Sequence, residues 1–120
     1  MLISELSKKT GVSIHTIRFY ENKGLIEGKP DENVKTNKYK KYDESHLEKI
    51  AIIKEAQEVG FTLAEIKNLL DKWYSGRFNK EEQMEFFSAK INEINVKIQQ
   101  LKGAKKRLEE VKKSIEKGEC

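Results

Sequence analysis

The sequence predicts an all-α fold with a small β wing, built from five helices of which the last is far longer than the others. Three observations carry this reading. Helix start and stop signals follow one another closely, with Gly11, Gly24 and Gly60 placed to end helices and a Thr62–Glu65 capping box placed to start one. Charged residues make up 37% of the 120 positions and only one proline is present, a composition suited to solvated helices rather than a β-sandwich. From Met84 to Ile115, apolar residues recur at alternating threes and fours, the spacing of a helix that buries a stripe against a partner.

The elements follow in order. The first helix runs from Ser4 to Thr10, preceded by Ile3 and closed by Gly11. After the Gly11–Val12 turn, Ser13 caps a second helix through Arg18, Tyr20 and Lys23, with Gly24 placed to terminate it. Two short helices joined by a glycine turn read as a helix-turn-helix. Lys29 to Tyr42 hold the single proline, several turn formers and the alternation Tyr39-Lys40-Lys41-Tyr42, so they read as a loop or short hairpin, the candidate wing. Asp43 opens a third helix through Glu58, with Leu47, Ile50, Ala51 and Ile53 on its apolar stripe and Gly60 at its end. The fourth starts at the Thr62 box, with Phe61 and Ile66 as a hydrophobic staple. It carries Leu63, Ile66, Leu69, Leu70 and Trp73 until Ser75-Gly76 breaks the pattern.

Asn79, with Glu82 three residues later, starts the fifth helix, and apart from Gly103 nothing interrupts it before Gly118. At 1.5 Å per residue it spans about 58 Å, too long for a domain of this size to cover. Its seam is Met84, Phe87, Ile91, Ile94, Ile98, Leu101, Ala104, Leu108, Val111 and Ile115, with two consecutive threes around Leu101 that mark one stammer in a coiled coil. From Glu81 to Ile98 acids outnumber bases, and from Gln99 to Lys117 bases outnumber acids. Two such helices complement each other when antiparallel, so a homodimer of that arrangement is expected. The division expected is a winged helix-turn-helix domain over 1–74, a linker over 75–80, a coiled-coil dimerisation helix over 81–117 and a tail over 118–120.

Several function classes drop out. No run of about 18 apolar residues is present and the first residues lack a secretion signal, so a cytoplasmic location is expected. Cys120 is the only cysteine, which excludes an internal disulfide framework and a four-cysteine zinc site from one chain. His15 and His46 lie on separate helices without a matching carboxylate or thiol constellation and are read as surface residues. No catalytic residue, metal ligand or cofactor is assigned, and an enzyme is not expected.

The second helix places Ile14, Ile17 and Glu21 on one face and leaves His15, Thr16, Arg18 and Phe19 on others. Arg18 offers a planar fork for phosphate or guanine edges, and Thr16 and Tyr20 offer hydroxyls for phosphate oxygens; the alternative packs Tyr20 in the core. In the wing, Lys29, Lys35, Lys38, Lys40 and Lys41 crowd a short stretch with Tyr39 and Tyr42, a pattern suited to a sugar-phosphate backbone. With a net charge of +4, the chain is compatible with a polyanionic partner.

Here the sequence resembles the MerR family. The resemblance lies in Ile3-Ser4-Glu5-Leu6, Gly11-Val12-Ser13, Thr16-Ile17-Arg18-Phe19-Tyr20-Glu21, Lys23-Gly24-Leu25-Ile26, Asn37-Lys38-Tyr39-Lys40-Lys41-Tyr42 and Val59-Gly60-Phe61-Thr62-Leu63. It covers residues 1 to about 73 and continues as a dimerisation helix. It implies a transcription regulator that binds a palindromic promoter operator as a homodimer, activates by bending and untwisting the DNA, and works with RNA polymerase. By that resemblance Arg18 and Tyr20 on the second helix and Tyr39 with Lys40 in the wing contact the operator; with the residues read from the helix face and the wing, the candidate DNA-contacting set is Ser13, His15, Thr16, Arg18, Phe19 and Tyr20, with Lys38, Tyr39, Lys40, Lys41 and Tyr42. The family's Gly-Tyr-Arg at the wing appears here as Lys38-Tyr39-Lys40, without the glycine and without the arginine fork.

Metal-sensing members of that family place cysteines near the start of the long helix or in a loop after it, whereas Asn79 to Gln83 hold none and Cys120 stands alone. One thiolate is at most part of a metal site. Trp73, Tyr74, Phe78, Phe86 and Phe87 gather at the junction of domain and coil, where they either line an apolar effector pocket or pack the long helix. Two other classes fit parts of the pattern: a recombination or excision-type architectural factor, which usually lacks the long helix, and a coiled-coil adaptor that binds protein. Salt-sensitive binding to a palindromic duplex separates them.

Overall fold

The computed structural model describes residues 1–30 and 40–118. Lys35, Lys38, Tyr39 and Cys120 lie outside the described residues. The order of elements is α1 (Ile3–Thr10), α2 (Ile14–Asn22), β1 (Lys29–Pro30), β2 (Lys40–Lys41), α3 (Glu44–Glu58), α4 (Leu63–Trp73) and α5 (Lys80–Glu116). The chain divides into two units, Met1–Arg77 and Phe78–Cys120.

In the first unit, α1 packs on α2 and on α3, and α3 packs on α4. Leu6, Ile17, Ile50, Ile53 and Ile66 are fully buried between them. The α1–α2 turn is stapled by side chains: the Ser7 hydroxyl donates to the Val12 carbonyl at 2.6 Å, and Thr10 Oγ1 accepts from the Val12 amide at 3.2 Å. Helix α1 starts at Ile3, one residue before the expected Ser4, and Leu2 at its cap makes no side-chain bond. The other helices are capped by side chains. Ser13 accepts from the Thr16 amide, Asp43 from the Ser45 amide, Thr62 from the Glu65 amide and Asn79 from the Glu82 amide. Both halves of the Thr62–Glu65 capping box are formed.

Two expectations about burial are corrected. His46 is buried, at 4% exposure, because it occupies the third position of α3 and its Nδ1 accepts the Asp43 amide at 3.0 Å, closing a capping box. Ala51 is exposed, and the buried stripe of α3 runs instead through His46, Ile50, Ile53 and Ala56. Trp73, at the last turn of α4, is 45% exposed because that helix buries Ile66, Leu69 and Leu70.

The wing strands pair antiparallel, with Lys29 opposite Lys41 and Pro30 opposite Lys40. Gly28, just before β1, is a close-approach position: a Cβ there would lie 2.9 Å from Tyr42 Cε1 and 3.0 Å from Lys40 Cβ.

The second unit is dominated by α5, whose 37 residues span about 55 Å at 1.5 Å per residue. The Asn79 cap holds its first turn, and Glu93 takes ion pairs from Lys90 at 2.8 Å and Lys97 at 3.4 Å.

Candidate nucleic-acid interface

Helix α2 separates cleanly into a packed and an open side. Ile17 and Tyr20 are buried, and Ile14 and Glu21 are half-buried. Ser13, His15, Arg18 and Phe19 are exposed, with Thr16 partly so. The open side thus carries a guanidinium, an imidazole, an aromatic ring and two hydroxyls, a set able to address both phosphates and base edges in a major groove. The Ser13 hydroxyl is already engaged, accepting from the Thr16 amide at 3.1 Å and donating to Thr16 Oγ1 at 2.9 Å. The Lys23 ammonium stands 5.6 Å from the Phe19 ring centroid, which adds positive charge to that side.

Of the two readings of Tyr20, phosphate contact or core residue, the packing favours the second. Tyr20 is 4% exposed and donates to Gln57 Oε1 on α3 at 2.9 Å, and burial pushes its phenol pKa up. Tyr42 is corrected in the same sense. Its ring is 4% exposed, meets the His46 ring edge-on at 5.1 Å, and its hydroxyl donates to Glu21 Oε1. Burial first, then the hydrogen bond and charge of Glu21, push its pKa well above the usual tyrosine range, while the Arg18 charge acts the other way. Both tyrosines are therefore packed within the first unit, with their hydroxyls engaged by Gln57 and Glu21.

The strand lysines are exposed but tied. Lys40 Nζ lies 3.2 Å from Glu21 Oε2, and Lys29 Nζ lies 3.4 Å from Asp43 Oδ2. Lys41 is exposed on β2. The Asp43 carboxyl is held below the usual range chiefly by its hydrogen bonds to Ser45, with the hydrogen bond from Lys29 adding to the effect. Because His46 Nδ1 accepts the Asp43 amide, Nε2 is the protonated nitrogen and donates to the Glu27 carbonyl at 2.7 Å.

Glu21, Gly28, Gln57 and the Glu27 carbonyl are the residues that sequence reasoning did not place in this site. Glu21 left a signal: a carboxylate on the packed face of α2 needs a partner, and the candidates with the right charge lay in the wing. Gln57 left none, since its partner is 37 positions away.

The aromatic group is divided between the units. In the first, Tyr74 is 43% exposed and sits under the Lys49 ammonium at 5.1 Å; burial and the adjacent Glu48 raise its phenol pKa. In the second, Phe78 and Phe86 meet edge-on at 6.1 Å, as do Phe86 and Phe87 at 5.4 Å. The coiled-coil seam is open to solvent along α5. Met84, Phe87, Ile91, Ile98, Ala104, Val111 and Ile115 are exposed, Leu101 and Leu108 reach 69% and 70%, and Ile94 is half-buried.

Among the described residues no helix is long and apolar enough to cross a membrane. Residues 1–73 match the family model for MerR helix-turn-helix regulatory proteins, and residues 47–111 match a second, described as MerR, DNA binding. The chain is 36% identical to the mercuric resistance operon regulatory protein of Bacillus cereus over 110 residues, covering 92% of this chain and 81% of that one. It is 34% identical to the transcriptional regulator CueR of Yersinia pestis over 109 residues, covering 90% and 76%. Among solved structures it resembles the regulator PbrR691 of Ralstonia metallidurans in complex with lead(II), with a TM-score of 0.82, 29% identity and coverage of 95% and 86%. The fold also matches HiNmlR, a MerR family regulator bound to promoter DNA, with a TM-score of 0.61, 22% identity and coverage of 99% and 94%. A helix-turn-helix with an open Arg18 face, a two-stranded wing beside it and agreement along both units together show that this chain belongs to the MerR family of DNA-binding transcriptional regulators.

Proposed function

We propose that this regulator works as a homodimer on a palindromic promoter operator, with the open face of α2 in the major groove and the wing on the neighbouring backbone. The observation that carries the dimer is the exposed seam of α5, since large apolar side chains in a continuous stripe are not left to water without a partner. The acidic first half and basic second half of that helix favour an antiparallel pair, because a parallel pair would set like charges side by side. Two α2 helices would then read half-sites about one turn of duplex apart. Activation by bending and untwisting the promoter alongside RNA polymerase is the mode proposed.

Leu101→Glu with Leu108→Glu should leave the first unit folded and convert a dimer to a monomer in sedimentation equilibrium, with loss of operator binding. A double variant that still sediments as a dimer would refute pairing through this seam. For orientation, Ile115→Cys in a Cys120→Ser background should not crosslink within a dimer, since a disulfide needs Cα atoms within about 7 Å. Rapid crosslinking independent of protein concentration would instead make the pair parallel.

The relatives include a mercuric resistance regulator and a regulator crystallised with lead(II), yet this chain offers a single thiolate. We propose no thiolate-held metal ion as its cofactor, because soft-metal selection rests on two or more sulfur ligands. Transcription from the operator promoter should then be unchanged by mercury(II), lead(II) or a chelator, and a metal-dependent rise in transcript would overturn this.

A further inference from the structure

Lys40 is held at both ends. Its stem lies over Gly28, where Cβ and Cδ both come within 3.0 Å of the place a side chain would occupy. Its ammonium sits 3.2 Å from Glu21 Oε2. Glu21 in turn is the less exposed partner, with 14% of its side chain accessible against 43% for Lys40, and its other oxygen accepts the Tyr42 hydroxyl. One carboxylate at the last full turn of α2 thus joins the helix carrying Arg18 to strand β2 and to the buried ring that follows it.

The geometry points to Lys40 as a positioning residue that clamps the wing to the recognition helix through Glu21, and not as a cation that neutralises a DNA phosphate. The clamp rests on the DNA-binding role of α2 and deepens it. A lysine that left Glu21 for a phosphate would abandon a largely enclosed carboxylate with one hydroxyl for company, which is costly for a charge removed from bulk water. With Lys40 in place, that charge is matched within the fold, and the wing and α2 meet the duplex as one piece.

The two roles differ in sign and in salt dependence. A lysine on a phosphate releases a counterion, so its removal lowers the slope of log affinity against log salt by about 0.9. A clamp does not. If Glu21 merely masked a phosphate-binding lysine, Glu21→Gln would tighten binding; if Glu21 anchors the clamp, it weakens binding.

The test uses the full-length chain and a duplex that the wild type recovers from random-sequence DNA, with titrations at several salt concentrations. Lys40→Met keeps the stem and removes the charge, and Glu21→Gln keeps an acceptor for Tyr42. Each is expected to weaken binding by about two- to fivefold, the range of a partly exposed ion pair, with an unchanged salt slope. The double variant should be no weaker than either single one. A slope lowered by about 0.9 in Lys40→Met, tighter binding by Glu21→Gln, or additive losses would each overturn the clamp. Should Glu21→Gln fail to fold, the slope of Lys40→Met alone decides. A wild-type chain that recovers no duplex would sink the DNA-binding reading and the clamp together, whereas a slope change with wild-type binding intact sinks only the clamp.

Discussion

Arg18 projects from the open side of α2 while Ile17, its neighbour in sequence, is completely buried, so the backbone beneath it is fixed by the core. Arg18→Ala is expected to cost about 1–3 kcal/mol on the selected operator and less on unrelated DNA, as read by competition binding. Equal losses on both would make Arg18 a phosphate contact. Tyr20 makes the opposite forecast. Tyr20→Phe removes a single hydrogen bond to Gln57, so chemical denaturation should show a loss of about 1 kcal/mol with operator affinity unchanged. Lower affinity at unchanged stability would return Tyr20 to the DNA surface. The split between these two residues marks how far single positions could be read from sequence. Helical spacing puts Tyr20 three residues from Ile17, on the packed side, but its hydroxyl chemistry suits a phosphate equally well. Only the long-range partner on α3 decides between them, and no local pattern carries that partner.

At the level of elements, legibility followed the caps. Helices α2, α3, α4 and α5 all start beside a Ser, Asp, Thr or Asn whose side chain accepts a backbone amide, and those starts were readable. Helix α1 has no such side chain, and its start shifted by a residue. Among the described residues the wing strands hold two residues each, too few for an alternating pattern to show which side faces inward. Thr62→Ala should lower stability by about 0.5–2 kcal/mol in denaturant unfolding, since it leaves the Glu65 amide without its acceptor. The Asp43 cap adds a pH dependence. Its folded pKa is depressed, so its contribution is present above the unfolded value of about 3.9 and is lost as pH falls through the lower folded value. Acid unfolding below about pH 4 should therefore be less steep in Asp43→Asn than in the wild type. Identical acid limbs would remove the cap as the cause.

For the whole molecule, the two units answer to different variables. The first unit has its own buried core, whereas α5 leaves most of its large apolar side chains in water. Pairing through that stripe, as proposed, would link the order of α5 to mass action, so its melting should move upward with protein concentration, while melting of the first unit should not. Helical signal that melts at one temperature across a hundredfold dilution would argue against this. The open stripe also bears on genetics. A gene fragment encoding residues 78–120 would keep the pairing surface and lack α2 and the wing. It would be expected to capture intact chains in mixed pairs that hold one reading head instead of two, and so to act dominantly over a normal copy of the gene. Titrating that peptide into the full-length regulator on its operator should release the DNA in proportion to the mixed pairs formed, and an operator that stays fully occupied at large peptide excess would count against it.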